Sequence, residues 1–457
     1  MQERVHLTER EINRDLLRPV LTTPLWFWVL LGALGSVVGL AAAAIAYLVT
    51  TGIGVTGLNR PVMWGFLITN FVFWVGISHA GIMLSAILRL TQAEWRRPAT
   101  RAAEVLTIFS LTAALMMPTF HVGRQWRVYF TFPYDFARGI FPNIKSPLIW
   151  DPAAITTYLT STILFVFVLL LPDIAILRDR STGIRHTIYS VLALGWRGNP
   201  RQWKLQVLAG VLLSALILPV FVSVHSIVSW DFAVAVAVEG WHATIFAPYF
   251  VIGAVHSGVS AVVTVMALLR WLFRWENYIR AEHFDALGRL LIVIATAWFL
   301  FFVIEWVMGL YSGHGAEIDM RDLQVFKWPF GLLFAVFLIT GFFIPVPLWL
   351  FRNVRRNVAL MFWTTILVNI GMWLERFLII VPGLMRKQTL TFNWGSYSPS
   401  PIEIIMVTGT FAWVFLGVLL FSKVFPILPV ADAKEEKVLG DYVQIGKVKV
   451  PAIYREE

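Results

Sequence analysis

The chain has 457 residues, of which 58% are hydrophobic and only 14% charged, with a mean hydropathy of +0.72; this excludes a soluble globular domain. It contains no cysteine, which excludes a thiolate-ligated iron–sulfur cluster, a c-type haem attachment and a disulfide within the chain. The formal charge of +10 does not point to nucleic acid, because the basic residues sit in short loops between apolar runs, as membrane-topology signals do.

Residues 1–24 mix acids and bases and precede a long apolar run, which predicts a cytoplasmic N-terminal segment and a retained helix without a cleaved signal. Ten apolar stretches are each long enough to span a bilayer. They fall at roughly 25–50, 62–90, 102–120, 152–178, 205–228, 243–273, 286–311, 326–351, 357–381 and 402–425. The expected fold is an all-α integral membrane protein, with a polytopic domain over 25–425 and a polar cytoplasmic tail over 426–457. The loops after the second, fourth, sixth and eighth helices carry most of the interhelical arginines, whereas the only charged residues in the loop between helices five and six are Asp231 and Glu239. The positive-inside rule therefore puts both termini in the cytoplasm and the 119–152 stretch on the opposite side. The basic loop between helices three and four opposes this assignment, and the other loops outvote it.

Helix two (FVFWVGISHAGIMLSAILRL) echoes helix six (FVIGAVHSGVSAVVTVMALLRW), aligning His79 with His256. Four helices separate the copies, so the repeat is parallel. It predicts two four-helix bundles, about 62–228 and 243–381, flanked by the first and last helices. Gly76, Ser78, Gly81, Ser257, Gly258 and Ser260 are small enough for close helix contact there. The tail from Ala431 reads as an extended docking arm for other subunits or as disorder.

The chemistry concentrates between Thr119 and Tyr158, where two apolar helices are joined by a loop carrying His121, Arg124, Arg127, Tyr134, Asp135, Arg138, Lys145 and Asp151. His121 is expected to close one helix and Asp151 to open the next. A titratable imidazole and a carboxylate would then share one membrane edge beneath an aromatic-rich loop, which suits proton removal from an amphipathic substrate such as a quinol. For His121 the structural alternative is an interfacial imidazole bonded to a loop carbonyl. For Asp151 it is an N-cap followed by the first-turn Pro152, a role compatible with the chemical one. The short loop before helix two brings Asn59, Arg60, Pro61 and Trp64 to the same side, and Trp64 either anchors the interface or walls the pocket.

Asp173, Glu305, Glu375 and Arg376 lie within apolar helices, where a charged group costs roughly 2.5–3.5 kcal/mol on insertion scales, so they should face the bundle interior. They serve either a proton path, together with His79, or buried ion pairs such as Glu305 with Arg376. His79, His225 and His256 raise the possibility of haem b. One histidine per helix argues against it, since two-haem membrane cytochromes pair histidines on the same helix; helix packing or proton relay fits better.

With these residues in place, the chain resembles the NrfD/PsrC family of polysulfide-reductase-type membrane subunits. The resemblance rests on NRPVMWGF, FWVGISHAG, FHVGRQWRVYF…SPLIWDPAAITTY, VHSIVSWDFA, GMWLERFLI and the polar tail. Within the family, the ten helices and the tail are most similar to the ActC subunit of alternative complex III. The resemblance implies menaquinol oxidation at His121 and Asp151 and no haem or cluster held by this chain; Arg124 and Trp64 are added to the quinol pocket from their positions beside it in the loops. It implies electron transfer to a periplasmic iron–sulfur subunit. It further implies a homologous NrfD-like membrane subunit, c-type haem subunits and a terminal oxidase as partners in the bacterial inner membrane. Proton translocation, with Asp173, Glu305 and Glu375 as its acids, is a further role proposed for the family. A quinone-reducing anchor of a polysulfide- or nitrite-reductase-type complex, a secondary transporter and a purely structural anchor are the competing readings; no clearly interrupted helix pair supports the transporter.

Overall fold

A computed structural model describes residues 8–91, 93–131, 139, 146–241, 243–386, 393–439, 442–445 and 448–451. Among these, ten helices are long and apolar enough to cross a membrane. A short amphipathic helix, α1 (Glu9–Leu21), precedes them, started by a capping box between Thr8 and Glu11. The spans are α2 (Leu25–Thr51), α3 (Phe66–Leu90), α4 (Arg97–His121) and α5 (Pro147–Arg180); after the surface helix α6 (Gly183–Leu192) come α7 (Pro200–Trp230), α8 (Phe246–Phe273) and α9 (Ala281–Tyr311). Helix α10 (Gly315–Phe326) lies between spans, and α11 (Phe330–Leu338) and α12 (Pro345–Leu350) form the eighth span around a π-helical turn at Ile339–Phe343. The short α13 (Arg352–Arg355) leads to α14 (Val358–Met385) and α15 (Pro401–Val424), the last two spans. The chain is thus an all-α integral membrane protein, as expected.

The innermost spans are α3 and α8, and the small residues let them touch. Gly76 packs on Ala254 and Ser257, and a Cβ at this position would lie only 3.4–3.5 Å from them. Thr107 of α4 donates to the Ser78 carbonyl at 2.9 Å, and Tyr158 of α5 donates to the same oxygen at 3.0 Å. Helices α2 and α15 pack together at the flank, where Gly409 accommodates Ala41.

Two expectations change. The fourth span does not start at Asp151: Ser146 is the N-cap and Pro147 the first-turn proline of α5, an earlier copy of the same start signal. Asp151 is therefore a second-turn residue whose carboxyl is not used in capping. The tail is not an arm throughout. Residues Val430–Leu439 form α16, and Tyr442–Ile445 (β1) pairs antiparallel with Val448–Pro451 (β2). The start of α16 is fixed by Asp173, whose Oδ1 accepts from the backbone N–H groups of Val430 (3.1 Å) and Ala431 (3.4 Å).

Candidate functional site

The loop before α3 is held by a latch from α15. Glu403, fully buried, accepts from the N–H of Gly57 at 2.7 Å and from the Tyr397 hydroxyl at 2.9 Å. The Tyr397 hydroxyl in turn accepts from the N–H of Phe66 at 2.9 Å, and Asn59 donates to the Ser396 carbonyl at 2.7 Å. Burial pushes the Tyr397 hydroxyl well above the ordinary phenol range, and the Glu403 carboxylate adds to this, so it remains a neutral donor. The latch sets Trp64 between two walls. Its ring stacks on Trp241 at 5.9 Å and meets Phe232 edge-on at 5.1 Å. Trp241 is itself pinned by a 2.8 Å hydrogen bond to the Ile379 carbonyl.

Phe232 follows Asp231, and here α7 widens into a π-helical turn, Asp231–Val236. Such turns displace a side chain from the regular helical face. The buried carboxyl of Asp231 lies against the carboxyl of Asp151 on α5. A hydrogen bond between two carboxyls requires one of them to carry a proton. One oxygen of each, Oδ1, is buried without a partner. The pair is thus built so that one proton can be shared between them, with two acceptor oxygens left over beside an aromatic wall.

His121 closes α4, as expected, with a buried Nδ1 that has no partner. No hydrogen bond or ion pair joins it to Asp151 among the described residues; the group Asp151 meets is Asp231. Arg124 and Arg127 are exposed. Tyr134, Asp135, Arg138 and Lys145 lie outside the described residues.

On the same face, the intramembrane acids form a second polar cluster. The Tyr249 hydroxyl and Trp298 Nε1 (3.0 Å) donate to one oxygen of Glu375, and Arg376 pairs with the other. Glu305 pairs with Arg321 of α10 at 3.2 Å; Arg376, the partner suggested by the sequence, is taken by Glu375. Burial pulls the Arg321 pKa below the ordinary guanidinium value, and Glu305 opposes this. A cavity of about 30 Å³ lies among Tyr249, Glu305, Arg321, Glu375 and Trp241, room for roughly two waters. Trp241 thus borders both this cavity and the Trp64 wall.

The remaining sequence candidates lie deeper or on the other face. The His79 ring bonds the Val75 carbonyl through Nδ1 and touches His225 (4.7 Å between centroids) and Tyr158 (5.1 Å). Phe250 lies 5.9 Å from His225 and 5.1 Å from the Arg376 guanidinium, bridging the histidines to the acid cluster by ring contact. His256 stacks on Trp298 and contacts the Gly341 carbonyl in the second π turn. Asp173 pairs with Arg101 at 3.1 Å on the face that carries both termini and has no hydrogen bond to His79. Asp231, Trp241, Tyr249 and Arg321 are the site residues that the sequence did not single out. The signal for Asp231 was its position as an acid in the one interhelical loop without bases.

The geometry defines a multi-pass membrane protein with a buried carboxyl pair under an aromatic wall at one membrane edge. The chain belongs to the polysulphide reductase NrfD family, whose model matches residues 54–387. It is 24% identical over 432 residues to a Halobacterium salinarum protein provisionally named as a dimethyl sulfoxide reductase membrane subunit, covering 88% of this chain and 91% of that one. A selenate reductase subunit of Mesobacillus selenatarsenatis is 22% identical, covering 84% and 90%. The Hdr-like menaquinol oxidoreductase integral membrane subunit of Archaeoglobus fulgidus is 21% identical, covering 85% and 91%.

Proposed function

We propose that this chain is the quinol-binding, quinol-oxidising membrane subunit of a respiratory oxidoreductase of the alternative complex III type. The observation that carries this reading is the Asp151–Asp231 carboxyl pair beneath Trp64, Phe232 and Trp241, on the face where His121 ends α4. A quinol presents a flat apolar ring, suited to the tryptophan wall, and two hydroxyls. Its oxidation to quinone releases two protons and two electrons. On this reading the protons go to the Oδ1 atoms and His121, whose partnerless buried acceptors support it. The cysteine-free chain has no thiolate to hold a cluster, so the electrons pass to an iron–sulfur cluster of a periplasmic partner. The names of the relatives support this direction: dimethyl sulfoxide and selenate reductases need an electron source, and menaquinol is named outright in the third.

On this reading, c-type haem subunits, a second NrfD-like membrane subunit and a terminal oxidase complete the assembly in the bacterial inner membrane. Both termini are cytoplasmic, and 62–228 and 243–381 are the two repeat units. Glu305, Glu375, Arg376 and His79 form the inner part of a proton path, with Asp173 at its cytoplasmic end. The test is titration of a quinol-analogue inhibitor against the detergent-purified chain. Saturable binding weakened at least about tenfold by His121→Ala or Asp151→Ala is expected; wild-type affinity in both variants would overturn the site.

A further inference from the structure

On the face that carries the termini, the ends of α3 and α5 and the starts of α4 and α7 enclose a cavity of about 330 Å³, closed from below by the tail at Pro429 and Asp432. Four arginines line it: Arg89, Arg96, Arg97 and Arg101. Arg101 is fully committed, to Asp173 (3.1 Å), Glu104 (3.5 Å) and the Leu169 and Pro426 carbonyls. Arg97 gives one Nη1 hydrogen bond to the Asp432 carbonyl at 2.8 Å. Arg89 differs in making no ion pair or hydrogen bond among the described residues; its Nε, like those of the other three, is buried without a hydrogen bond, and it lies against Gly210 of α7, where a Cβ would sit 3.5 Å from Nη1. The acids of the same wall, Glu104 and Asp173, are engaged by Arg101, so Arg89 feels Glu104 only through space, and a guanidinium held this way has room for a further anion.

The opposite wall identifies which anion. Val207 and Val211 line the cavity and also turn outward, 63% and 40% exposed on a span whose outer face meets the bilayer. Trp203 stands at the rim, as interfacial tryptophans do. A free phosphate would use only the arginines, whereas a phosphate carrying acyl chains would use the valine face as well. Basic pockets between helices near a membrane surface recognise lipid headgroups in this way.

We propose that this cavity binds the phosphate of an anionic phospholipid, with Arg89 and Arg96 on the headgroup and the acyl chains along Val207 and Val211. The bound lipid would brace the start of α16, since Asp432 and Pro429 form part of the same wall.

The test uses the full chain, delipidated in detergent and titrated with phosphatidylglycerol, phosphatidylcholine or inorganic phosphate, with binding read by native mass spectrometry and by melting temperature. Phosphatidylglycerol should bind at least about tenfold more tightly than phosphatidylcholine. Arg89→Gln with Arg96→Gln should abolish that preference, and Arg89→Lys should keep most of it. Val211→Trp, which obstructs the acyl face and leaves every charge in place, should weaken the lipid alone. Equal binding of both lipids, or an unchanged preference in a folded double glutamine variant, would overturn the proposal. So would inorganic phosphate competing fully for the site, because the ligand would then be a free anion.

Discussion

Asp231→Asn isolates the proton from the shape of the site. Asparagine has nearly the volume of aspartate, and its amide N–H can donate to the Asp151 carboxylate in place of the proton that we propose the pair shares. The contact between α5 and the π turn of α7 survives, so thermal stability should change by less than about 1 kcal/mol, the net worth of one hydrogen bond. What disappears is the capacity of the pair to exchange a proton. Removing a positioned acid–base group typically slows the step by about 10²–10⁴-fold, roughly 2.7–5.4 kcal/mol in barrier height. Quinol oxidation by the assembled complex, followed optically with an artificial electron acceptor, should fall in that range. Inhibitor affinity should change much less, since Trp64, Phe232 and Trp241 are untouched. A melting temperature and a turnover both within about twofold-equivalent of wild type would refute the reasoning, and a collapse in stability would show that the carboxyl pair is a structural tie.

Three other substitutions separate structure from chemistry. Arg376→Met leaves the buried Glu375 with donors from Tyr249 and Trp298 but no cation; it should destabilise the chain by about 3–5 kcal/mol, and an unchanged melting temperature would mean that Glu375 is neutral in the folded protein. Gly65→Ala places a methyl group inside the Tyr397 ring and hydroxyl; the latch must shift, costing about 1–3 kcal/mol and displacing Trp64, which should show as altered tryptophan fluorescence and a raised KM for quinol. Asp173→Ala removes the acceptor of the Val430 and Ala431 N–H groups, so limited proteolysis should cut near α16 faster than in wild type; identical digestion would mean that the rest of the helix holds the tail.

The spans were readable because a bilayer demands unbroken apolar length, and that demand is local in sequence. The small residues of α3 and α8 were readable for a related reason: close helix approach needs glycine, alanine or serine at the contact, whatever the partner. The chemistry was less accessible, because each polar group is defined by a partner on another helix. Asp151 carried two local signals, proline and an N-cap type, yet Ser146–Pro147 carried the same pair earlier in the chain and started α5 there. Only the structure shows that the Asp151 carboxyl is thereby free to meet Asp231. Asp231 itself looked like a loop acid, because no sequence pattern announces that α7 continues as a π turn.

Glu305 was matched to Arg376 by the expectation that buried charges on spans pair across spans. The helix that supplies its real partner, α10, is too polar to span, so no hydropathy signal marks Arg321 as a residue of the membrane core. The consequence for mechanism is specific. The acid cluster is closed on one side by a helix lying between spans and on the other by Trp241, which touches the aromatic wall of the carboxyl pair. A displacement of Trp64 or Trp241 by a bound quinol would therefore be felt at Glu305 and Glu375 without any long-range rearrangement, and the two polar clusters can be coupled through a single ring.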